Sequence, residues 1–269
     1  MTIPGLLFPE NPRCVAFMGD WHGHAQWAVR MIRVAALHGA DTIIHVGDFG
    51  FDRPNPISNK YLSAVNRTLK GTDLTLLVVD GNHEHHEWLN TLPVNDIGVR
   101  PVTKNIAHLP RGFRWGWHNK TWMSLGGAHS VNSHLLTPGH NWFPEEWVSP
   151  EEMSSAMEVG SVDVMVTHDI PDRVQMEGHR DSELFPAYQI ERARQHGALI
   201  GTVVDETRPS WLFHGHMHFA HITERELIDG GGTTVVGMDC NGAAHWSKNM
   251  VLFDAETLEL LPMDLSLEF

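Results

Sequence analysis

Cysteine is nearly missing from this 269-residue chain: Cys14 and Cys240 are the only two. Two thiols this far apart exclude a disulfide framework, a zinc knuckle and a paired redox motif, so both are expected to be buried or incidental. Basic residues are also scarce, with 19 Lys and Arg against 33 Asp and Glu and a net charge of -14. That balance argues against a protein held on nucleic acid or an anionic membrane by a broad basic surface, although a local positive site is still compatible with it. No apolar run approaches the roughly 18 residues of a membrane span, and the opening MTIPGLLFPENPR lacks a basic stretch followed by a long apolar one. A soluble, intracellular, cytoplasmic protein is the expectation. Internal repeats and low-complexity tracts are missing too, and a hydrophobic content of 42% is ordinary for a globular chain. This length suits one large domain over 1–269 with a sizeable core.

Histidine, by contrast, is abundant at 20 residues, and three of them alternate in Phe213-His214-Gly215-His216-Met217-His218. A histidine-rich chain produces such clusters by chance, as solvated side chains without chemistry. Alternate residues of an extended segment point to one side, however, and can converge on one ion. The decision rests on whether the remaining chain supplies partner ligands.

Those partners sit at strand ends. Arg13 to Met18 is a short apolar run that stops at Gly19-Asp20, as a buried strand delivering a carboxylate into a loop would. Trp27, Met31, Val34 and Ala35 then recur at helical spacing until His38-Gly39. A second run, Thr42 to Val46, ends at Gly47-Asp48; a helix is expected around 60–69; and Leu74 to Val79 ends at Asp80-Gly81-Asn82-His83-Glu84. Further short strands are expected at Trp122 to Leu125, Val162 to Val166 before Thr167-His168, Trp211 to Phe213, Thr233 to Val236 and Met250 to Phe253. Strand, loop and helix in this order describe an α/β sheet whose site lies beyond the carboxyl ends of its strands. Thr137 to Pro150, rich in Pro and Trp, reads as an ordered loop, cap or lid within 129–150. Asp254 to Phe269 alternates acid and Leu, which leaves strand, helix and oligomer contact open.

Collected, these ends present Asp20, His22, Asp48, Asn82, His83, His168, His216 and His218. Oxygen and nitrogen donors without thiolate suit Mn, Fe, Zn or Ni. The ordered blocks GDWH, GDFG, GNHE, THD and GHMH resemble the calcineurin-like metallophosphoesterase superfamily from about Met18 to His218. The resemblance implies a four-layer α/β sandwich, two mixed β-sheets flanked by helices, around two divalent or trivalent cations, with Mn²⁺ the leading identity. Carried over by motif, Asp20, His22 and His218 hold one metal, Asn82, His168 and His216 hold the other, and Asp48 bridges them. Two cations roughly 3.5–4 Å apart need a shared anion, and a hydroxide between them would attack phosphorus in line. His83, beside a ligand but not itself one, is the expected proton donor to the leaving oxygen, with Asp52 or Glu84 to tune it. Gly19, Gly47, Gly81 and Gly215 precede the ligand blocks and are expected to permit tight turns. His24, His45, His85, His86, His134, His140 and His214 fall outside the motif slots and are expected in supporting or surface roles. Trp115, Trp117, Trp142 and Trp147 read as packing residues rather than a base-stacking platform.

The segment GDFGFDRP departs from the protein-phosphatase pattern GD-x-V-D-R-G: Asp52-Arg53 lies one residue further on, and Pro54 replaces glycine. GHMH also looks more like the phosphodiesterase and nuclease branches. The expectation is therefore a small phosphodiesterase for cyclic nucleotides or other nucleotide-derived esters, with Arg53 and His129 as substrate contacts. Alternatives are a nuclease, which the acidic balance disfavours, a phosphomonoesterase, a protein phosphatase, and a non-catalytic scaffold, which the complete ligand set disfavours.

Overall fold

The computed structural model of the protein describes residues 8–178 and 185–267; the first seven residues of the opening stretch and the last two of the tail lie outside them. The first half alternates strand and helix: β1 Cys14–Met18, α1 Ala25–Leu37, β2 Thr42–His45, α2 Pro56–Thr72, β3 Thr75–Val78, α3 His86–Thr91, β4 Arg100–Pro101 and β5 Ile106–His108. The second half continues with β6 Arg114–Trp117, β7 Lys120–Leu125, α4 Pro150–Met157, β8 Val164–Thr167, α5 Ala187–Thr207, β9 Trp211–His214, β10 His221–Glu226 and β11 Gly232–Gly237. The chain then returns to its first sheet with β12 Met250–Asp254 and β13 Glu259–Leu261. Of the acid and Leu tail, Glu259–Leu261 forms a strand antiparallel to β12, and 262–267 lie outside any strand.

Two mixed sheets result, ordered β13-β12-β1-β2-β3-β5-β4 and β10-β11-β9-β8-β7-β6. The centre of the first is parallel, β1 on β2 on β3 on β5, with β12 antiparallel to β1. The second is parallel through β7, β8, β9 and β11, with antiparallel edges. Parallel strands need crossovers, and the helices that make them cover the outer faces.

Alternation along β1 shows how the layers are glued. Val15 and Phe17 face the second sheet, where Phe17 stacks on Phe213 with ring centroids 3.6 Å apart, among Trp115, Trp117 and Trp122. Ala16 and Met18 face the helices, packing in the cluster that holds Met31, Ala35, Val65 and Leu69. On the far side, Met123, Met165 and Leu212 pack with Ile200, Val203 and Val204 of α5. The order is helices, sheet, sheet, helices: the four-layer sandwich the sequence predicts. No helix among the described residues is long and apolar enough to cross a membrane.

Candidate metal centre and substrate cleft

The carboxyl ends of β1, β2, β3, β8 and β9 open on one rim, and the loops there carry the predicted ligands. Five of these, Asp20, His22, Asp48, His216 and His218, have left-handed backbones, with φ between 46° and 61°. Each such residue costs on the order of 1 kcal/mol or more, so five together rival a sizeable part of a domain's net stability of about 5–15 kcal/mol. The core of two stacked sheets over-determines these loops and holds them there. Gly81 serves the site by its lack of a side chain rather than by a turn: a Cβ there would lie 2.2 Å from Asp48 Oδ1 and 2.7 Å from His168 Nε2. Gly47 has both reasons, with φ at 107° and an added Cβ 2.2 Å from His168 Nδ1.

Donor atoms of Asp20, His22, Asp48 and His218 all lie within 4.8 Å of one another. His218 Nε2 is 3.2 Å from Asp20 Oδ2, and His22 Nε2 is 3.3 Å from Asp48 Oδ2. The other oxygen of Asp48 faces away from His22: Oδ1 is 3.4 Å from His168 Nε2 and accepts the His83 backbone N–H at 2.9 Å. His168 Nε2 is also 3.2 Å from Asn82 Oδ1, and the His168 and His216 rings lie 5.1 Å apart. One buried carboxylate therefore addresses two histidine groups, one through each oxygen.

Partners outside this set fix the rings. His22 Nδ1 meets Asn241 Oδ1 at 2.8 Å, and His168 Nδ1 donates to the Val46 carbonyl at 2.8 Å, which turns each Nε2 inward. His216 Nε2 lies 4.0 Å from Asp169, itself bonded to His196 Nδ1 at 2.6 Å. Asn82 Nδ2 donates to Ser130 Oγ, and Ser130 donates to Glu146, fully buried in the Pro/Trp segment. That chain points the Asn82 amide oxygen at His168. Asn241, Ser130 and Glu146 belong to no ligand block, and Asp169, though inside the THD block, is assigned no role by it; the part each plays becomes visible only when the fold brings it alongside a ligand.

The charges point to a cation site. Burial opposes ionisation of His168, but Asp48, with help from Asp20 and Glu84, lifts it to about 10. Burial likewise opposes a charged His218, and Asp20 with Cys240 lifts it to about 10. Asp48 is pushed upward by burial, yet the charges of His168 and His83 hold it well below the usual carboxylate range. Glu84, whose oxygens accept the Gly50 and Gly81 N–H groups, is raised by burial and then by Asp48 to about 8.

A family model described as calcineurin-like phosphoesterase matches residues 15–220. The chain belongs to that family. No curated protein matches the chain. Among solved structures it is similar to TT1561 of Thermus thermophilus, at 14% identity over 94% of this chain and 99% of that one, with a TM-score of 0.58. A dimetal phosphatase from Danio rerio matches at 13% identity, over 94% of this chain and 99% of that one, with a TM-score of 0.54. At these identities the likeness concerns the fold.

As a calcineurin-like phosphoesterase the chain is a metal-dependent hydrolase of a family that uses a dinuclear metal centre. The residues present fit such a centre. Asp20 Oδ1 is buried without a hydrogen-bond partner, the added Cβ of Gly215 would come within 2.1 Å of it, and the donors are the carboxylate, imidazole and amide groups that borderline cations take.

Beside the rim lies a cleft of about 590 Å³, lined by His22, His83, Arg53, His140, Asn141 and Phe143 among others. His83 is exposed there, its ring centroid 5.7 Å from that of His22. Arg53 lines the same cleft, with Nε donating to His85 Nε2 at 2.7 Å. His129 departs from the substrate-facing expectation. It is 1% exposed, Nδ1 accepts from Trp147 Nε1 at 3.0 Å, and Nε2 meets Gln189 Oε1 at 2.7 Å, so both nitrogens are spent inside the protein. The carboxylates expected to tune His83 have hydrogen-bond partners of their own: Asp52 accepts from Asn55 and the Arg53 N–H, and Glu84 accepts the Gly50 and Gly81 N–H groups.

Proposed function

We propose that the chain hydrolyses small phosphodiesters, cyclic nucleotides and related nucleotide-derived esters among them, with two cations held at the β1, β2, β3, β8 and β9 loops. In this account Asp20, His22 and His218 hold one cation, Asn82, His168 and His216 hold the other, and Asp48 serves both. The observation that carries the assignment is the division of the Asp48 carboxylate, with Oδ2 toward His22 and Oδ1 toward His168. When bound, the two cations neutralise charge on the phosphoryl oxygens and make water nucleophilic near neutral pH, Mn²⁺ being the first choice to test.

The chain's own residues supply the rest. Asn82 is a neutral oxygen donor, and Ser130 with Glu146 keeps its amide from rotating. His83 is exposed at the cleft with its backbone pinned to Asp48, a suitable place to contact a phosphate and protonate the oxygen that departs as the P–O bond breaks. Arg53 offers its guanidinium to a non-bridging oxygen while His85 holds Nε and Glu87 lies 3.8 Å from Nη2. The 129–150 segment sends Phe143 onto His85, with ring centroids 4.4 Å apart, and so walls the cleft as a specificity element. A cleft of this size suits a nucleotide-sized ester, and the net charge of -14 disfavours long nucleic acid.

The test is hydrolysis by metal-stripped, then Mn²⁺-reloaded protein of an aryl phosphodiester, an aryl phosphomonoester, 2′,3′- and 3′,5′-cyclic nucleotides and single-stranded DNA. Metal-dependent preference for diesters is the expected result. Preference for the monoester would make the chain a phosphatase, and DNA cleavage would make it a nuclease. Silence across the panel with metals bound would leave a binding scaffold.

A further inference from the structure

A second cavity, of about 270 Å³, lies behind the Gly81-Asn82-His83 turn, with Asp80, His86, Arg100, His108, Arg111 and Glu152 in its wall. Most of its polar groups are spoken for. Asp80 accepts from Arg111 Nε at 3.0 Å and Nη2 at 2.7 Å and pairs with His108 Nε2 at 3.0 Å. Arg111 goes on to donate to the carbonyls of Glu145, Glu146 and Trp147 and to Glu152. Glu152 in turn accepts the Ser149 N–H.

Two groups are left over, and both can donate. His86 is 2% exposed; its Nδ1 approaches Asp80 only to 3.8 Å, and its Nε2 is buried without a hydrogen-bond partner. Arg100 has its Nε in the same condition; Nη1 approaches only the His108 ring, at 3.4 Å, and among the described residues no carboxylate pairs with the guanidinium within 4.0 Å. A buried polar group without a partner costs about 1–3 kcal/mol, more when charged, so two of them on residues that line one cavity are a local deficit of acceptor atoms. Asp80 does not supply the acceptor: His86 Nδ1 comes no nearer to it than 3.8 Å, and its short bonds go to Arg111 and His108.

From this we infer that the cavity is a binding site for a small oxyanion, phosphate or a short carboxylate, held between the Arg100 guanidinium and His86 Nε2. The Arg fork matches two oxygens of either group, and the imidazole N–H takes a third contact. Glu145 and Glu152 in the wall limit the charge the cavity accepts, which favours a compact, singly charged form over a polyphosphate. Because Asp80 directly precedes Gly81, the cavity and the proposed metal centre share one turn while offering opposite chemistry: donors on this side, cation ligands on the other.

The experiment uses the full chain treated with chelator, so that phosphate has no cations to bind at the rim. Inorganic phosphate, and separately acetate, is titrated at constant ionic strength while the imidazole ¹H–¹³C resonances are followed, that of His86 being assigned by its loss in His86→Gln. A saturable shift at His86 is expected, with the apparent Kd at least tenfold weaker in Arg100→Gln and intermediate in Arg100→Lys, which keeps charge but loses the fork. Response to phosphate alone marks a phosphate pocket, and response to both ligands marks a general oxyanion pocket; either supports the site. No saturable shift at His86 with either ligand in the wild-type chain overturns it, whatever the variants do. An unchanged Kd in folded Arg100→Gln overturns it as well.

Discussion

At the scale of single residues, the proposed centre depends as much on missing atoms as on ligands. Replacing Gly81 by Ala would set a methyl group 2.2 Å from Asp48 Oδ1, with backbone rather than a flexible tip also in the way. Displacing a shared ligand by even an ångström is expected to lower kcat/KM by about 10²-fold or more. Metal analysis of Gly81→Ala should show fewer than two bound cations, and a variant with full metal content and full rate would remove Gly81 from the account. His83→Ala should keep both cations and slow turnover, with the smallest loss for aryl leaving groups that need no proton. Equal losses for good and poor leaving groups would contradict the proton-donor role. The candidate ligands were legible because each directly follows an apolar run, a pattern that needs no tertiary knowledge. Their supporting partners were not: Asn241 reaches His22 across 219 positions of sequence, and Asn82 finds Ser130 48 positions on. His129 shows the converse error, since a glycine-rich turn beside the site says nothing about which way its histidine faces.

Elements differ in how much of themselves they declare. The central strands β1, β2, β3, β7, β8 and β9 are buried on both faces and read as short apolar runs. The edge strand β10, HITERE, alternates exposed residues with partly exposed ones and the buried Arg225, and carries no such signal. The longest helix, α5, is hard to read from sequence for a physical reason. Gly197 and Gly201 sit on its buried face, where a Cβ would come within 3.1 Å of the Ile170 carbonyl and 2.0 Å of Asp172 Oδ1, so close packing erases the apolar periodicity. The same helix supplies Asp205, which with Asp172 neutralises the enclosed Arg225 of β10. Asp205 is pushed up by burial, but Arg225 and Arg173 hold it below the ordinary carboxylate value. A depressed carboxylate contributes stability above its unfolded pKa of about 3.9 and loses it as pH falls through the lower folded value. Asp205→Asn should therefore destabilise the fold at pH 7, by about 1.5–2 kcal/mol, because it strips one charged partner from the guanidinium while Asp172 still pairs with it. It should also fall less steeply than the wild type between pH 4 and 2. Urea midpoints at the two ends of that range decide it, and equal midpoints at pH 7 would show that Asp172 alone suffices.

For the molecule as a whole, the sandwich is what turns scattered fragments into one site. The backbone N–H of His216 donates to Asp20 across 196 positions of sequence, and it does so because β1 and β9 face each other through Phe17 and Phe213. Family and fold were legible at this scale, since ordered motif blocks at strand ends specify both. Substrate was not, because the cleft wall comes from the Pro/Trp segment, whose residues follow no period and whose packing on His85 emerges only from the fold. The central claim is that Asp48 joins two cations into one hydrolytic centre, and it is tested most directly by counting metal against rate. Stripped protein should be titrated with Mn²⁺ while bound metal and aryl phosphodiester hydrolysis are measured on the same samples, for the wild type and for Asp48→Ala. The account predicts two equivalents in the wild type with activity rising mainly on the second, and in Asp48→Ala at most one equivalent with almost no turnover. Two equivalents and an undiminished rate in Asp48→Ala would contradict it.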